Sequence, residues 1–225
     1  MPISQQIGSS SLAKPGVCTS TTRPATPYQG QVIYETNTNR LYVWNGSSWV
    51  IPNQTTTNPE GLELITTATV SAQSFVVVDS CFSLTYDRYR LMIDMYGSGG
   101  TFASLRLRSG GSDSPSSGYY KTGHYTTYNS SAVNGYNGSN EAGVTPVVQY
   151  GAVSNTSGGI VEVNFPASPA INTSFYVNTI DPAAIQQYTI NVVHASAAAY
   201  DGFKIYASAG TITGNVQVYG YRRVL

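Results

Sequence analysis

Residues 30–51 have the sequence GQVIYETNTNRLYVWNGSSWVI, in which two apolar runs, Gln31–Glu35 and Arg40–Trp44, flank a polar tetrapeptide. Asn45-Gly46 follows the second run and leads into Ser48–Ile51. Asn-Gly between apolar runs is a strong hairpin signal, because a type I′ turn needs positive φ at both central residues. The stretch therefore predicts a small three-stranded β meander.

Pairing of Glu35 with Arg40 would set the register of this meander and place an ion pair at its end. A two-residue loop at Asn45-Gly46 would put Trp49 opposite Tyr42. In this register one face carries Val32, Tyr34, Leu41 and Val43, and the other carries Ile33, Tyr42 and Trp44.

Both faces of the meander are apolar, and a sheet of about twenty residues is marginally stable alone in water. It needs a neighbour, which is either the following domain or another copy of the chain. We keep both interpretations, and the second makes the meander an oligomerisation collar. The candidate oligomer or anchor contacts are Ile33, Tyr34, Tyr42, Trp44 and Trp49.

The composition of the 225-residue chain limits the function classes. The formal net charge is zero and only 10% of residues are charged, which argues against nucleic-acid binding because such binding needs a basic footprint. The first residues, MPISQQIGSSSLAKPG, lack the features of a signal peptide, and no apolar run is long enough to span a membrane. Twenty-two glycines and eighteen tyrosines favour short strands joined by turns.

The chain divides by composition into four segments. Residues 1–29 are polar and aperiodic, and we interpret them as an N-terminal anchor arm that docks on another subunit. Residues 30–51 are the meander, and 52–61 form a linker with a proline near each end. Residues 62–225 alternate apolar and polar side chains, which predicts strands. The predicted fold class is all-β: arm, meander and an antiparallel, jelly-roll-like β-sandwich.

Two strands of the large domain have a clear pattern. Arg88–Tyr96 alternates with Leu91, Ile93 and Met95 on one side, and Phe102–Arg108 alternates in the same way. If these two strands, separated by the glycine-rich residues 97–100, form a hairpin, Asp94 lies diagonal to Arg106 and could pair with it.

A tyrosine-rich stretch, residues 118–140, lies among glycine, serine and asparagine. Binding loops have this composition, because tyrosine supplies rigid amphipathic contact area and the small polar residues adapt to a partner. The alternative is one or two strands whose tyrosines pack on the sandwich or on a sister subunit. The candidate recognition residues are Tyr119, Tyr120, His124, Tyr125, Tyr128 and Tyr136.

The sequence offers no strong catalytic or metal motif, and we predict neither an enzyme nor a cofactor or metal site. The two histidines, His124 and His194, do not occur in metal-ligand spacing. Carboxylates are scattered, and glycoside hydrolysis needs two of them across a cleft. Two spatial pairings stay open, namely Asp94 with Glu162 and Asp113 with Glu141.

The stretch TRPATPYQGQVIYETNTNRLYVWNGSSWV, residues 22–50, resembles a recurring segment of bacteriophage virion proteins that include tail fibres. The matching positions are Thr22–Pro24, Gly30–Thr36, Leu41–Gly46 and Trp49–Val50. The last strand pattern, GNVQVYG at 214–220, is similar to the end of C-terminal β domains in phage fibre proteins.

The resemblance implies a structural protein of the virion, assembled in the host cytoplasm, with no catalytic residues. It implies a homotrimer, and the two apolar faces of the meander agree with self-association. The expected role is a short tail fibre or fibre tip that contacts a host glycan or protein, with residues 1–29 on another virion protein. The alternatives are a capsid decoration protein or head spike, and a carbohydrate-binding module.

Overall fold

The structure is a computed structural model that describes residues 15–52, 61–114, 117–150, 157–182 and 184–222. The chain forms two compact units, Met1–Pro59 and Glu60–Leu225. Residues 1–14 of the predicted arm and 53–60 of the predicted linker lie outside the described residues.

The small unit is a mixed sheet of four strands in the order β1-β2-β3-β4. The predicted three strands are joined by β1, which comes from the predicted arm and runs parallel to β2. The segment between them returns along the sheet, and Ser20 and Asn37 share two hydrogen bonds. The strands are β1 (Gly16–Cys18), β2 (Val32–Glu35), β3 (Arg40–Trp44) and β4 (Trp49–Val50).

The predicted register of β2 on β3 is confirmed, because Glu35 lies opposite Arg40 and Ile33 opposite Tyr42. The predicted loop after β3 is wrong. The observed loop has four residues, 45–48, because Trp44 pairs with Trp49. Within it the Asn45 side-chain oxygen accepts the N–H groups of Ser47 and Ser48.

This longer loop changes the partner of Trp49, which pairs with Trp44 and not with Tyr42. The two indoles meet edge to face with their centroids 5.5 Å apart, a favourable arrangement for aromatic rings. Trp49 nevertheless remains on the predicted face.

The large unit is a twelve-stranded sheet that curls over on itself, with pairing that is antiparallel throughout. Its principal strands follow the order β10-β9-β15-β14-β13-β7-β16-β5. Its first six strands are β5 (Leu62–Gln73), β6 (Phe75–Val78), β7 (Arg88–Ser109), β8 (Ser112–Asp113), β9 (Tyr119–Thr127) and β10 (Val133–Gly135). The other six are β11 (Gly138–Glu141), β12 (Val144–Gln149), β13 (Ser157–Asn164), β14 (Ser174–Asp181), β15 (Gln186–His194) and β16 (Gly202–Tyr221).

The two longest strands, β7 and β16, pair along most of their length and carry the sheet from one layer to the other. The first half of β7 also pairs with β13, whereas its second half pairs with β12. The first layer therefore contains β9, β15, β14, β13 and β5, and the second contains β12, β6 and β8, with β7 and β16 common to both.

The interpretation of Arg88–Tyr96 and Phe102–Arg108 as two separate strands is wrong, and no hairpin joins them, because β7 runs through the glycine stretch 97–100 without a turn. A Cβ atom on Gly97 would overlap the ring of Tyr150, so the glycine makes room for a buried tyrosine. The register of β16 on β7 shifts opposite this point, between Ala207 and Ile212. Asp94 consequently lies opposite Asn215 and is not diagonal to Arg106.

The core of the large unit lies between the two layers, and its residues follow the predicted alternation. Leu91, Ile93 and Met95 of β7 point inward and are fully buried. The layers approach closely at Gly159, where a Cβ would overlap the Val147 carbonyl oxygen. The predicted all-β class is confirmed, with a curled two-layer sheet and a separate small sheet.

Among the described residues, the structure contains no helix with the length and hydropathy needed to cross a membrane.

Candidate functional site

One face of the small unit is closed by the chain itself. Ile33 and Glu35 are buried there, and the guanidinium of Arg23 lies over the Tyr42 ring at 4.8 Å. The segment between β1 and β2 supplies this arginine, so part of the predicted arm covers the sheet from which it was expected to project. Trp44 and Trp49 are half-buried on the same face.

The Glu35 carboxylate is the polar centre of this closed face. Arg23 donates to one of its oxygens, and the Thr38 hydroxyl donates to the other at 3.0 Å. The predicted ion pair with Arg40 is therefore replaced by one with Arg23. The Arg23 hydrogen bond is the main cause that lowers the pKa of Glu35 below its usual value, and the Thr38 hydroxyl acts in the same direction.

The opposite face of the small unit is open and apolar. Val17 is 69% exposed, Leu41 is 45% exposed and Val32 is 39% exposed. Tyr34 and Val43 lie among them in the same register. The strands that form this face place no charged side chain on it, so a continuous apolar surface is exposed to water.

The five predicted oligomer contacts are thus divided between the two faces. Ile33, Tyr42, Trp44 and Trp49 belong to the closed face, where the chain covers them wholly or in part. Only Tyr34 lies on the open face. Val17 was missed because the sequence gives no periodic signal for a strand in the arm.

The tyrosine-rich stretch forms strands β9, β10 and β11, and its tyrosines have different environments. Tyr119 is fully buried, and its hydroxyl accepts the N–H of Leu107 at 3.0 Å. Burial raises the pKa of this phenol above its usual range. Tyr119 is therefore a core residue and contributes no surface.

Tyr125 and Tyr136 pack on Tyr188 of β15 and form an aromatic cluster against the core. Their ring centroids lie 5.3 Å and 5.5 Å from that of Tyr188. The Lys121 ammonium sits 4.5 Å from the centre of the Tyr136 ring, a favourable cation–π contact. The cluster braces β9 and β10 against β15.

Tyr120, His124 and Tyr128 are the exposed members of the predicted recognition set. Tyr120 and His124 project from one face of β9, about 13 Å apart along the strand. Tyr128 follows the end of β9 and is 60% exposed. The structure leaves these three side chains accessible to a partner.

Three of the four carboxylates considered for hydrolytic chemistry, Glu162, Asp113 and Glu141, are engaged in ion pairs, whereas Asp94 has no ion-pair partner among the described residues. Glu162 accepts from Arg90 at 2.6 Å and from the Tyr221 hydroxyl at 2.9 Å. Asp113 is bound by Arg108 and Lys204. Within the described part of the chain, no group of three or more histidine, cysteine, aspartate or glutamate side chains could hold a metal ion.

His194 is buried in the core and contacts two tyrosines. Its Nδ1 lies 3.1 Å from the Tyr200 hydroxyl, and its ring packs on Tyr119 with centroids 4.3 Å apart. Burial lowers the pKa of His194, because desolvation disfavours the imidazolium. Among the described residues, no charged side chain pairs with the ring.

We expect this histidine to make the large unit acid-sensitive. As the pH falls below about 6.5, the unfolded chain binds a proton that the folded chain binds only at lower pH, so stability decreases. Urea midpoints at pH 7.5 and pH 5 should therefore differ more for the wild type than for His194→Gln. His124→Gln, a change at the exposed histidine, is the matched control and should keep the wild-type difference. Equal pH dependence in all three proteins would contradict the assignment.

A shallow depression of about 270 Å³ lies on the outer face of the first layer. It is lined by Gly158 and Gly159 and by the apolar side chains of Met92, Ile160 and Ile180. Asp94 and Asn178 supply the polar groups. The sequence pattern missed this site because the residues come from three strands whose order in the sheet was not predicted.

Comparison of the chain with protein-family models, with curated proteins and with solved structures found no match in any of the three.

Proposed function

We propose that the chain is a structural component of a bacteriophage virion, with a short tail fibre or fibre tip as its first role. The small unit carries this proposal. The segment that resembles phage virion proteins belongs to a separate body with one face closed by Arg23 and the other apolar and open. Such a body is suited to completion by another protein surface.

The proposed partners follow from this open face. Three copies of the chain around a common axis would remove Val17, Val32 and Leu41 from water. The resemblance supports a homotrimer, whose mass would be three times that of the 24.0 kDa chain. Attachment to another virion protein through residues 1–29 remains part of the proposal, with residues 15–29 inside the small unit.

Location on the particle is the decisive test of the proposed role. Gold-labelled antibody against the large unit, viewed by negative-stain microscopy on intact particles, should mark the tail or its fibres. Gold spread over the head would replace the tail-fibre role by the decoration role. Absence of gold from purified particles, with the chain present in the lysate, would overturn the virion assignment.

The exposed tyrosines of the large unit support a role in host attachment. We expect Tyr128→Ala to reduce phage adsorption by about thirtyfold, because an aromatic anchor at an interface contributes on the order of 2 kcal/mol. Adsorption rate to host cells is the measurement. Tyr28→Ala is the matched control, since Tyr28 is 70% exposed but belongs to the small unit. Equal adsorption by both variants would remove Tyr128 from the recognition surface.

A capsid decoration protein or head spike is the second candidate. The observation that favours it is the use of Tyr119, Tyr125 and Tyr136 in internal packing. Three of the five tyrosines in the stretch predicted as a binding surface are thus packed inside the protein, and less aromatic surface remains for a receptor.

A further inference from the structure

The outer face of the first layer is unusually apolar for a surface exposed to water. Seven strands contribute to it in the order β9-β15-β14-β13-β7-β16-β5. Large apolar side chains project from all of them except β16, at exposures of 40% or more. We call this surface the outer face, and its apolar members are Leu62, Leu64, Met92, Tyr120, Ile160, Tyr176, Ile180 and Val193.

The opposite side of the sandwich has a different chemistry. There Arg108 pairs with Asp79 and Asp113, and Lys204 also reaches Asp113. Arg106 joins this network at 3.9 Å from the Asp113 carboxylate and also donates to the Ala142 carbonyl oxygen. Protein surfaces exposed to water normally resemble this charged side. A large exposed apolar surface such as the outer face is typical of a site that binds a partner.

The charges of the outer face are few and balanced. The charged side chains that project from this face are Arg88, Arg90, Asp94 and Glu162, and Arg90 and Glu162 form an ion pair with each other. Arg88 and Asp94 have no ion-pair partner among the described residues. They project from the same face of β7, six residues or about 20 Å apart, on opposite sides of the apolar centre.

We propose that the outer face binds a second copy of this chain through a two-fold contact. A two-fold axis near Leu91 would align the two β7 strands antiparallel, with Arg88 of each copy beside Asp94 of the other. The same operation brings the Met92 and Ile160 side chains of both copies together over their depressions. A two-fold interface is self-complementary in this way, because one patch supplies both halves.

The size of the face agrees with such a contact. Seven strands about 4.8 Å apart and eight residues of about 3.3 Å each cover roughly 750 Å². A stable protein interface buries about 800 Å² on each partner. The contact is independent of the proposed virion role and of the open face of the small unit.

The test uses the full chain and light scattering coupled to size exclusion. Arg88→Asp places two like charges across the contact at both of its ends, and so does Asp94→Arg. Each variant should dimerise through this face at least tenfold more weakly than the wild type. An equimolar mixture of the two variants should associate again, because each end of the mixed contact then pairs a carboxylate with a guanidinium.

Two further variants identify the interface. Ile160→Lys should abolish the contact, whereas Leu41→Lys on the small unit should leave it intact and affect only association through the open face. Far-UV circular dichroism and urea midpoints verify that each variant is folded. A wild-type mass of 24.0 kDa at micromolar concentration would overturn the inference. So would a mixture that fails to associate, or an Ile160→Lys protein with the wild-type mass.

Discussion

Gly159→Ala should destabilise the large unit by about 3 kcal/mol, the upper range for overpacking in a well-packed core. The new Cβ would overlap the Val147 carbonyl oxygen and lie 2.9 Å from Val148 Cγ2. The first of these contacts is with backbone in the facing layer, which cannot rotate away. Relief requires the layers to separate, and this exposes core side chains to water.

Gly158→Ala is the matched control, one residue away on the same strand. Gly158 points outward, and its Cβ would have Asp94 Oδ1 at 3.7 Å, an ordinary contact distance. Because alanine suits a strand better than glycine, this variant should be neutral or more stable by up to about 1 kcal/mol. Urea unfolding followed by far-UV circular dichroism measures both. Similar losses in the two variants would show that the layers do not meet at Gly159.

Arg23→Gln should disrupt the small unit, because it leaves the Glu35 carboxylate buried without its counter-ion. The chain has two tryptophans, Trp44 and Trp49, and both belong to the small unit, so tryptophan emission reports on this unit alone. We expect a red shift and loss of the near-ultraviolet indole signal. Arg40→Gln is the control. It removes the sequence-predicted partner of Glu35 and should leave both signals unchanged.

The same ion pair predicts a pH dependence. The pKa of Glu35 is lowered from the ordinary 4.5, so its stabilising contribution is complete above about pH 4.5 and is lost as the pH falls through the folded-state pKa. The tryptophan signal should stay constant from neutral pH to about 4.5 and then change. In Glu35→Gln this acid transition should be absent. A wild-type transition that persists in Glu35→Gln would assign it to other groups.

Local pattern predicted much of the fold correctly. Alternation placed Leu91, Ile93 and Met95 in the core, and the pairing of Glu35 with Arg40 set the register of the meander. These features depend on neighbours along one strand or across one turn. The sequence pattern that determines strand alternation and hairpin register therefore lies within about a dozen neighbouring residues.

The errors share a different cause, since each depends on a distant or irregular part of the chain. Gly97 resembled a turn residue because its partner, the Tyr150 ring, is more than fifty residues away. Arg23 lies in the irregular segment between β1 and β2, where no periodic sequence pattern connects it to Glu35. The Asn45 loop followed the side-chain preference of asparagine for nearby N–H groups, which competes with the two-residue turn.

The candidate recognition site was only partly predictable. Composition identified the tyrosine-rich stretch, but composition does not distinguish the packed Tyr125 from the exposed Tyr128. Strand alternation within β9 assigns Tyr119 and Tyr120 to opposite faces, and this could have been inferred had the strand been recognised. The outer face required the order of the strands, which sequence alone did not supply.

The long ribbon of β7 and β16 has a consequence for how the chain acquires its structure. Residues paired across this ribbon are between 94 (Arg108 with Gly202) and 131 (Tyr89 with Gly220) positions apart, and strands β8 to β15 lie between them in sequence. Closing so large a loop is slow, as folding rates fall when contacts are distant in sequence. During synthesis on the ribosome, the edge of β7 that pairs with β16 stays unpaired until β16 has been synthesised, which requires the chain up to residue 221. The large unit therefore completes its folding only at the end of synthesis. Until then its unpaired strand edges are exposed, and these are the surfaces that a chaperone would protect.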